Sequence, residues 1–156
     1  MERVSKFKID KNLDLSSGED LSIGIMNLIS TEEHLFYTSQ KTKNPKYLDL
    51  LNEVRLIRTD LMKKIVKNPE GEVWCISKHL LASSMRLMEV GTKELKKGER
   101  KKAEELFEKS YKLYSLFWGL NLSTDQKASA LKMPEDKSVF SKLSDIIQHA
   151  IDCCRE

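Results

Sequence analysis

Glu72, Cys75 and His79 lie at i, i+3 and i+7, so they share one strip of any helix that carries them. A thiolate and an imidazole one turn apart can hold a soft divalent metal such as zinc, and the glutamate can add an oxygen ligand. A fourth ligand must come from another helix or from water, and His34 is the available histidine. The plainer reading is a small apolar cysteine and a histidine hydrogen-bonded beside a core. Glu32 interrupts an apolar stripe between Leu28 and Leu35/Phe36, where a carboxylate needs a partner; Arg55, Arg58 and Arg86 are the candidates. A carboxylate-bridged di-iron bundle would require Glu-x-x-His pairs, and the third residue after Glu32 is Leu35, after Glu72 it is Cys75.

Lys97, Arg100, Lys101 and Lys102, together with Lys93 and Lys96, cluster around Gly98. Such a cluster can face phosphates. Glu94, Glu99, Glu104 and Glu105 interleave with it and no aromatic residue is present to stack a base, which is the pattern of a solvated surface. No glycine-rich phosphate loop exists, Ser77, Ser83 and Ser84 form no triad with His79, and Asp145/His149 reads as a surface pair. No catalytic motif is found and no cofactor is expected.

The elements that must position these residues are helices. Leu21, Ile25, Leu28, Leu35 and Phe36 mark a first helix that begins near Ser17, behind a Ser16/Glu19 capping pattern, and runs to about Thr42. Asn44-Pro45 opens a second, with Asn as cap and Pro at the first helical position, carrying Leu50, Val54, Ile57, Leu61 and Ile65 inward. Asn68-Pro69-Glu70-Gly71 breaks it. A third runs from about Gly71 to Lys97, with an apolar arc wide enough for two neighbours, and Gly98 ends it. A fourth buries Ala103, Leu106, Phe107, Tyr111, Leu113, Tyr114 and Phe117. Residues 119–134 read as the one long connection, and Pro134 opens a fifth helix carrying Val139, Phe140, Leu143, Ile146, Ile147 and Ala150. The expected fold is all-α: an antiparallel up-and-down bundle of four long helices plus a C-terminal fifth, forming one domain over residues 17–156 behind a polar arm of residues 1–16.

The 156 residues suffice for one core, and a formal charge of +3 does not by itself call for nucleic acid. No apolar run reaches the roughly 20 residues of a membrane span. Cys75, Cys153 and Cys154 make no disulfide framework, and the first eight residues have no signal-like apolar core, so a reducing, cytoplasmic setting is expected.

Residues 88–120 resemble one tetratricopeptide-type helical hairpin, on Gly91, Gly98, Ala103 and Phe107, with Val90 and Ser110 as conservative replacements. Leu87, Glu94 and Ser115 stand where that family carries Trp, Tyr and Pro, and no second copy appears one period of about 34 residues away. The resemblance implies binding of a peptide or protein and transfers no ligand residues. The aromatic group around the third and fourth helices points the same way. Trp74, Met85, Tyr114, Phe117 and Trp118 offer more apolar surface than one neighbour would cover, so they are the expected face for a protein partner or a second copy of the chain. The alternatives are a metal-binding bundle using Cys75 and His79, and an RNA-associated protein using the basic turn.

Overall fold

A computed structural model of the chain describes residues 16–66 and 72–122. Among them there are four helices and no strand: α1 (Ser16–Thr42), α2 (Lys46–Met62), α3 (Glu72–Lys96) and α4 (Arg100–Leu122). The fold class is therefore all-α. The arm expected before Ser16 and the fifth helix expected after Pro134 lie outside the described residues.

The turns follow from local chemistry. At the end of α1, Lys43 adopts a left-handed φ of 56°, and its N–H reaches back to the Ser39 carbonyl at 2.9 Å. The Asn44 Oδ1 atom then accepts from the Lys46 N–H at 3.0 Å, while Pro45 already has helical angles, so cap and first-turn proline act as their residue types require. At the end of α3, Gly98 (φ 84°) lets the Glu99 N–H reach the Glu94 carbonyl and the Gly98 N–H reach the Leu95 carbonyl, both at 3.0 Å. That is a Schellman closure, and glycine adopts it without steric penalty.

The helices form two antiparallel hairpins, α1–α2 and α3–α4, joined chiefly through α1 and α3. In the second hairpin Gly91 faces Phe107, Ser84 faces Ser110 and Ser77 faces Asn121. In the first, Glu32 faces Arg58. Ser22 meets Tyr114, and Gly18 meets Trp118, which sets α1 antiparallel to α4 and parallel to α3. Both inter-helix turns therefore lie at the same end of the molecule.

The core sits at the other end. Ile25, Met26, Met62, Val66, Leu81, Tyr114, Phe117 and Trp118 are buried together, with Leu21, Ile29, Val73, Trp74 and Met85 packed against them. Two readings of the helices change. Gly119 does not end α4, which continues to Leu122; Asn121 donates to Ser77 Oγ at 3.0 Å and to the Phe117 carbonyl at 2.9 Å, tying down the last turn. On α2, Ile57 is exposed, and the buried residues are Arg58 and Met62. The ion pair of Arg58 with α1 turns the helix so that the apolar stripe read from the sequence is only partly inward.

Candidate functional site

The expected partner face is instead the interior. Phe117 and Trp118 are buried with their rings edge to face at 5.1 Å, and Tyr114 packs edge-on to Trp118 at 6.4 Å. The Tyr114 hydroxyl shares a 2.7 Å hydrogen bond with Ser22 Oγ. Trp74 and Met85 are half-buried and pack on the same cluster. The missed signal is the start of α1. Gly18 and Ser22 are small enough to admit the Trp118 ring, and a β-carbon at position 18 would lie 2.9 Å from it. These aromatics thus find their cover inside the chain.

The uncovered apolar residues lie elsewhere. Leu81 is 0% exposed, whereas Met88 and Leu95, at i+7 and i+14 on the same side of α3, are 43% and 47% exposed. Ile25 on α1 is 0% exposed, whereas Phe36, at i+11 and hence about 20° around the helix, is 48% exposed. Tyr37 beside it is exposed and stacks edge-on with Phe36 at 5.3 Å. Leu48, at the start of α2, is exposed as well. The core faces of α1 and α3 thus run on toward the turn end, where none of the described residues buries Phe36, Met88 or Leu95. A small recess under Leu48, formed with Ser39, Gln40, Lys43, Asn44 and Pro45, opens at the same end.

Two neighbouring glutamates of α1 mark where the core stops. Glu32 takes both Arg58 bonds, from Nε at 2.9 Å and from Nη2 at 3.0 Å, linking α1 to α2. Of the three candidate arginines, it is Arg58 that pairs with Glu32. Glu33 pairs with Arg86, which also holds Glu89 at 2.7 Å, linking α1 to α3. Buried bidentate pairing satisfies the carboxylate that the apolar stripe could not.

Charge concentrates beyond that belt. Residues 41–49 and 93–104 carry nine basic and four acidic side chains, an excess of five over a chain whose total is +3. Within the expected basic patch, Lys97 pairs with Glu94 at 2.7 Å, Arg100 with Glu104 at 2.9 Å and Lys102 with Glu99 at 3.3 Å. The hydrogen bond from Lys97 holds the Glu94 carboxyl below the usual carboxylate range, and the same bond raises Lys97. Lys41, Lys43, Lys46, Lys93, Lys96 and Lys101 have no ion-pair partner among the described residues.

The metal strip does not assemble. Glu72, Cys75 and His79 are exposed on the outer side of α3, and among the described residues no three His, Cys, Asp or Glu side chains come together to hold an ion. His34 is exposed near the level of Arg86, eleven residues along α3 from Cys75, or about 16 Å at helical rise. Cys75 is a free thiol. Among the described residues no helix is long and apolar enough to cross a membrane. Ser83 is exposed and Ser77 and Ser84 are buried; Ser77 accepts from Asn121 and Ser84 bonds Ser110, so both of these serve the α3–α4 contact.

The packing positions named in the tetratricopeptide resemblance do face each other: a β-carbon on Gly91 would lie 2.7 Å from Phe107 Cε1, and Ala103 and Ser110 are buried. Compared with known proteins, the chain matches no family model, no curated protein and no solved structure. Its class is a pair of helical hairpins with a one-ended core, and its candidate site is the open turn end.

Proposed function

We propose that this protein is a docking module of a reducing, cytoplasmic compartment that binds another protein through the turn end of its two hairpins. The observation that carries this reading is the change in burial along unbroken helix faces: Leu81 to Met88 and Leu95, and Ile25 to Phe36. Apolar side chains placed in register with a core, yet left in water, are the pattern of a surface that is completed by association. An amphipathic helix laid between α1 and α3 would extend the packing already made at the core end. The exposed thiol of Cys75 suits the compartment.

Photo-cross-linking tests the reading. A benzophenone side chain at position 88, in the full chain, is expected to capture a discrete polypeptide from lysate of the source cell. The same group at position 112, on the exposed side of α4, is expected to capture none. Equal labelling from both positions would remove the basis for a docking site at the turn end.

A further inference from the structure

We infer that the partner segment is an acidic amphipathic helix: an apolar stripe that fills the seam between α1 and α3, flanked by carboxylates that meet the lysines at its open end. The inference rests on the docking role proposed above and specifies its ligand. The seam is apolar at its floor, where Phe36, Met88 and Leu95 continue the core faces. The turns at its open end are cationic: Lys41, Lys43 and Lys46 stand at one and Lys93 and Lys96 at the other, all exposed and without ion-pair partners among the described residues. Met88 and Leu95 are two helical turns apart, so the matching stripe is read at i and i+7 with intervening anchors at i+3 or i+4.

Charge selects among occupants. A second copy docked end to end would set a net excess of five positive charges against five, which like-charge repulsion opposes. A basic helix meets the same repulsion. An acidic helix gains steering and register from these lysines while its stripe buries the floor. An anionic membrane would also meet the lysines, but it presents no stripe of side chains spaced to match Met88 and Leu95.

The test uses the full chain and three synthetic helical peptides with one common leucine stripe, flanked by Glu, Gln or Lys and followed by fluorescence anisotropy. The Glu peptide is expected to bind, and to weaken with added salt. Met88→Asp with Leu95→Asp should weaken binding about tenfold or more, as loss of central apolar anchors does. Lys93→Glu with Lys96→Glu should remove most of the preference for the Glu peptide over the Lys peptide. Met88, Leu95, Lys93 and Lys96 are all exposed, so circular dichroism of these variants should match the parent chain. Binding of the Gln and Lys peptides as tight as that of the Glu peptide, still lost on Met88→Asp with Leu95→Asp, would overturn the acidic specification and leave the docking role standing. Failure of all three peptides, with retention on phosphatidylserine vesicles, would overturn both. Binding that emerges only after Val139→Asp, Phe140→Asp and Leu143→Asp would assign the seam to the chain's own C-terminal segment and overturn the external partner.

Discussion

The two hairpins solve the same packing problem by opposite means. In α3–α4 the backbones approach closely because the contacting residues are small. Gly91 lies under Phe107, Ala103 is buried, and Ser84 and Ser110 exchange hydrogen bonds to each other's carbonyls at 2.9 and 2.6 Å. In α1–α2 the contact is carried by long side chains, above all Arg58 reaching Glu32, and α2 leaves Leu48, Leu56 and Ile57 in water. Small-residue packing ties a hairpin together along its length. Long-side-chain packing fixes it at points and leaves a helix face free for another use. The hairpin with the looser contact is therefore the one whose stability should hang on a single pair.

That pair gives the largest expected effect. Arg58→Ala leaves Glu32 half-buried without its bidentate partner and should cost about 3–5 kcal/mol in urea denaturation. Replacing both, Glu32→Leu with Arg58→Met, removes the uncompensated charge and should recover most of that loss, because buried pairs and well-packed apolar substitutes are close in stability. A loss below about 1 kcal/mol for Arg58→Ala would mean that the pair behaves as a surface contact and that α2 is held by something else.

Glycine-to-alanine changes sharpen the contrast, since they should act with opposite sign in the two hairpins. Gly24 on α1 has nothing within 4 Å of a new β-carbon, so Gly24→Ala should gain up to about 1 kcal/mol from helix propensity alone. At Gly91 the same gain is opposed by a methyl 2.7 Å from Phe107, and overpacking of about 1–3 kcal/mol should win. Phe107→Leu in the Gly91→Ala background should return part of the loss, which thermal melts of the single and double variants would measure. Equal stabilisation at both glycines would show that the second hairpin has room to spare.

How far such features could be read beforehand depended on whether the cause was local. Helix starts and stops were legible because caps and breakers act within four residues: Ser16, Asn44-Pro45 and Gly98 all mark real boundaries. The Gly91/Phe107 contact was legible through the helical-hairpin resemblance, as a matter of residue size. Burial was not legible where it depended on distant neighbours. Trp118 reads as surplus apolar surface until Gly18, a hundred residues earlier, is found beneath its ring. Leu81, Met88 and Leu95 are equivalent in helical phase, so only the tertiary arrangement separates the covered one from the two left open. Arg58 is hidden from any hydrophobic pattern, because a buried arginine is announced only by its partner.

The turns offer a smaller version of the same comparison. Both require a left-handed residue after a helix, Lys43 in one hairpin and Gly98 in the other. An L side chain in that region costs on the order of 1 kcal/mol, which glycine avoids. Gly98→Ala should therefore destabilise by about 1 kcal/mol. Lys43→Gly should stabilise by an amount reduced by the extra freedom glycine gives the unfolded chain. Melting curves for both variants check the pair of signs. A loss at Lys43→Gly would indicate that the lysine side chain itself, through its Gln40 contact at 3.4 Å, holds the turn.

The smallest expected effect belongs to the Glu94–Lys97 pair beside that second turn. Lys97 donates to Glu94 and thereby lowers the carboxyl's pKa, while its own ammonium is held above the ordinary lysine range. A depressed carboxyl stabilises the fold fully above its unfolded pKa and loses that contribution as pH falls through the depressed value. A raised ammonium contributes below its unfolded pKa and loses the contribution as pH rises through the raised value. The link is thus intact across neutral pH and fails at both extremes. Glu94→Gln should flatten the acid arm of melting temperature against pH, and should do so less at high salt, since the pair is open to solvent. The shift should fall below every change described above, as Lys97 is exposed and Glu94 is only partly covered. An acid arm as sensitive to Glu94→Gln as stability is to Arg58→Ala would place the decisive electrostatics at the turn, and would undo the contrast between a hairpin fixed by one buried pair and a hairpin tied by small residues.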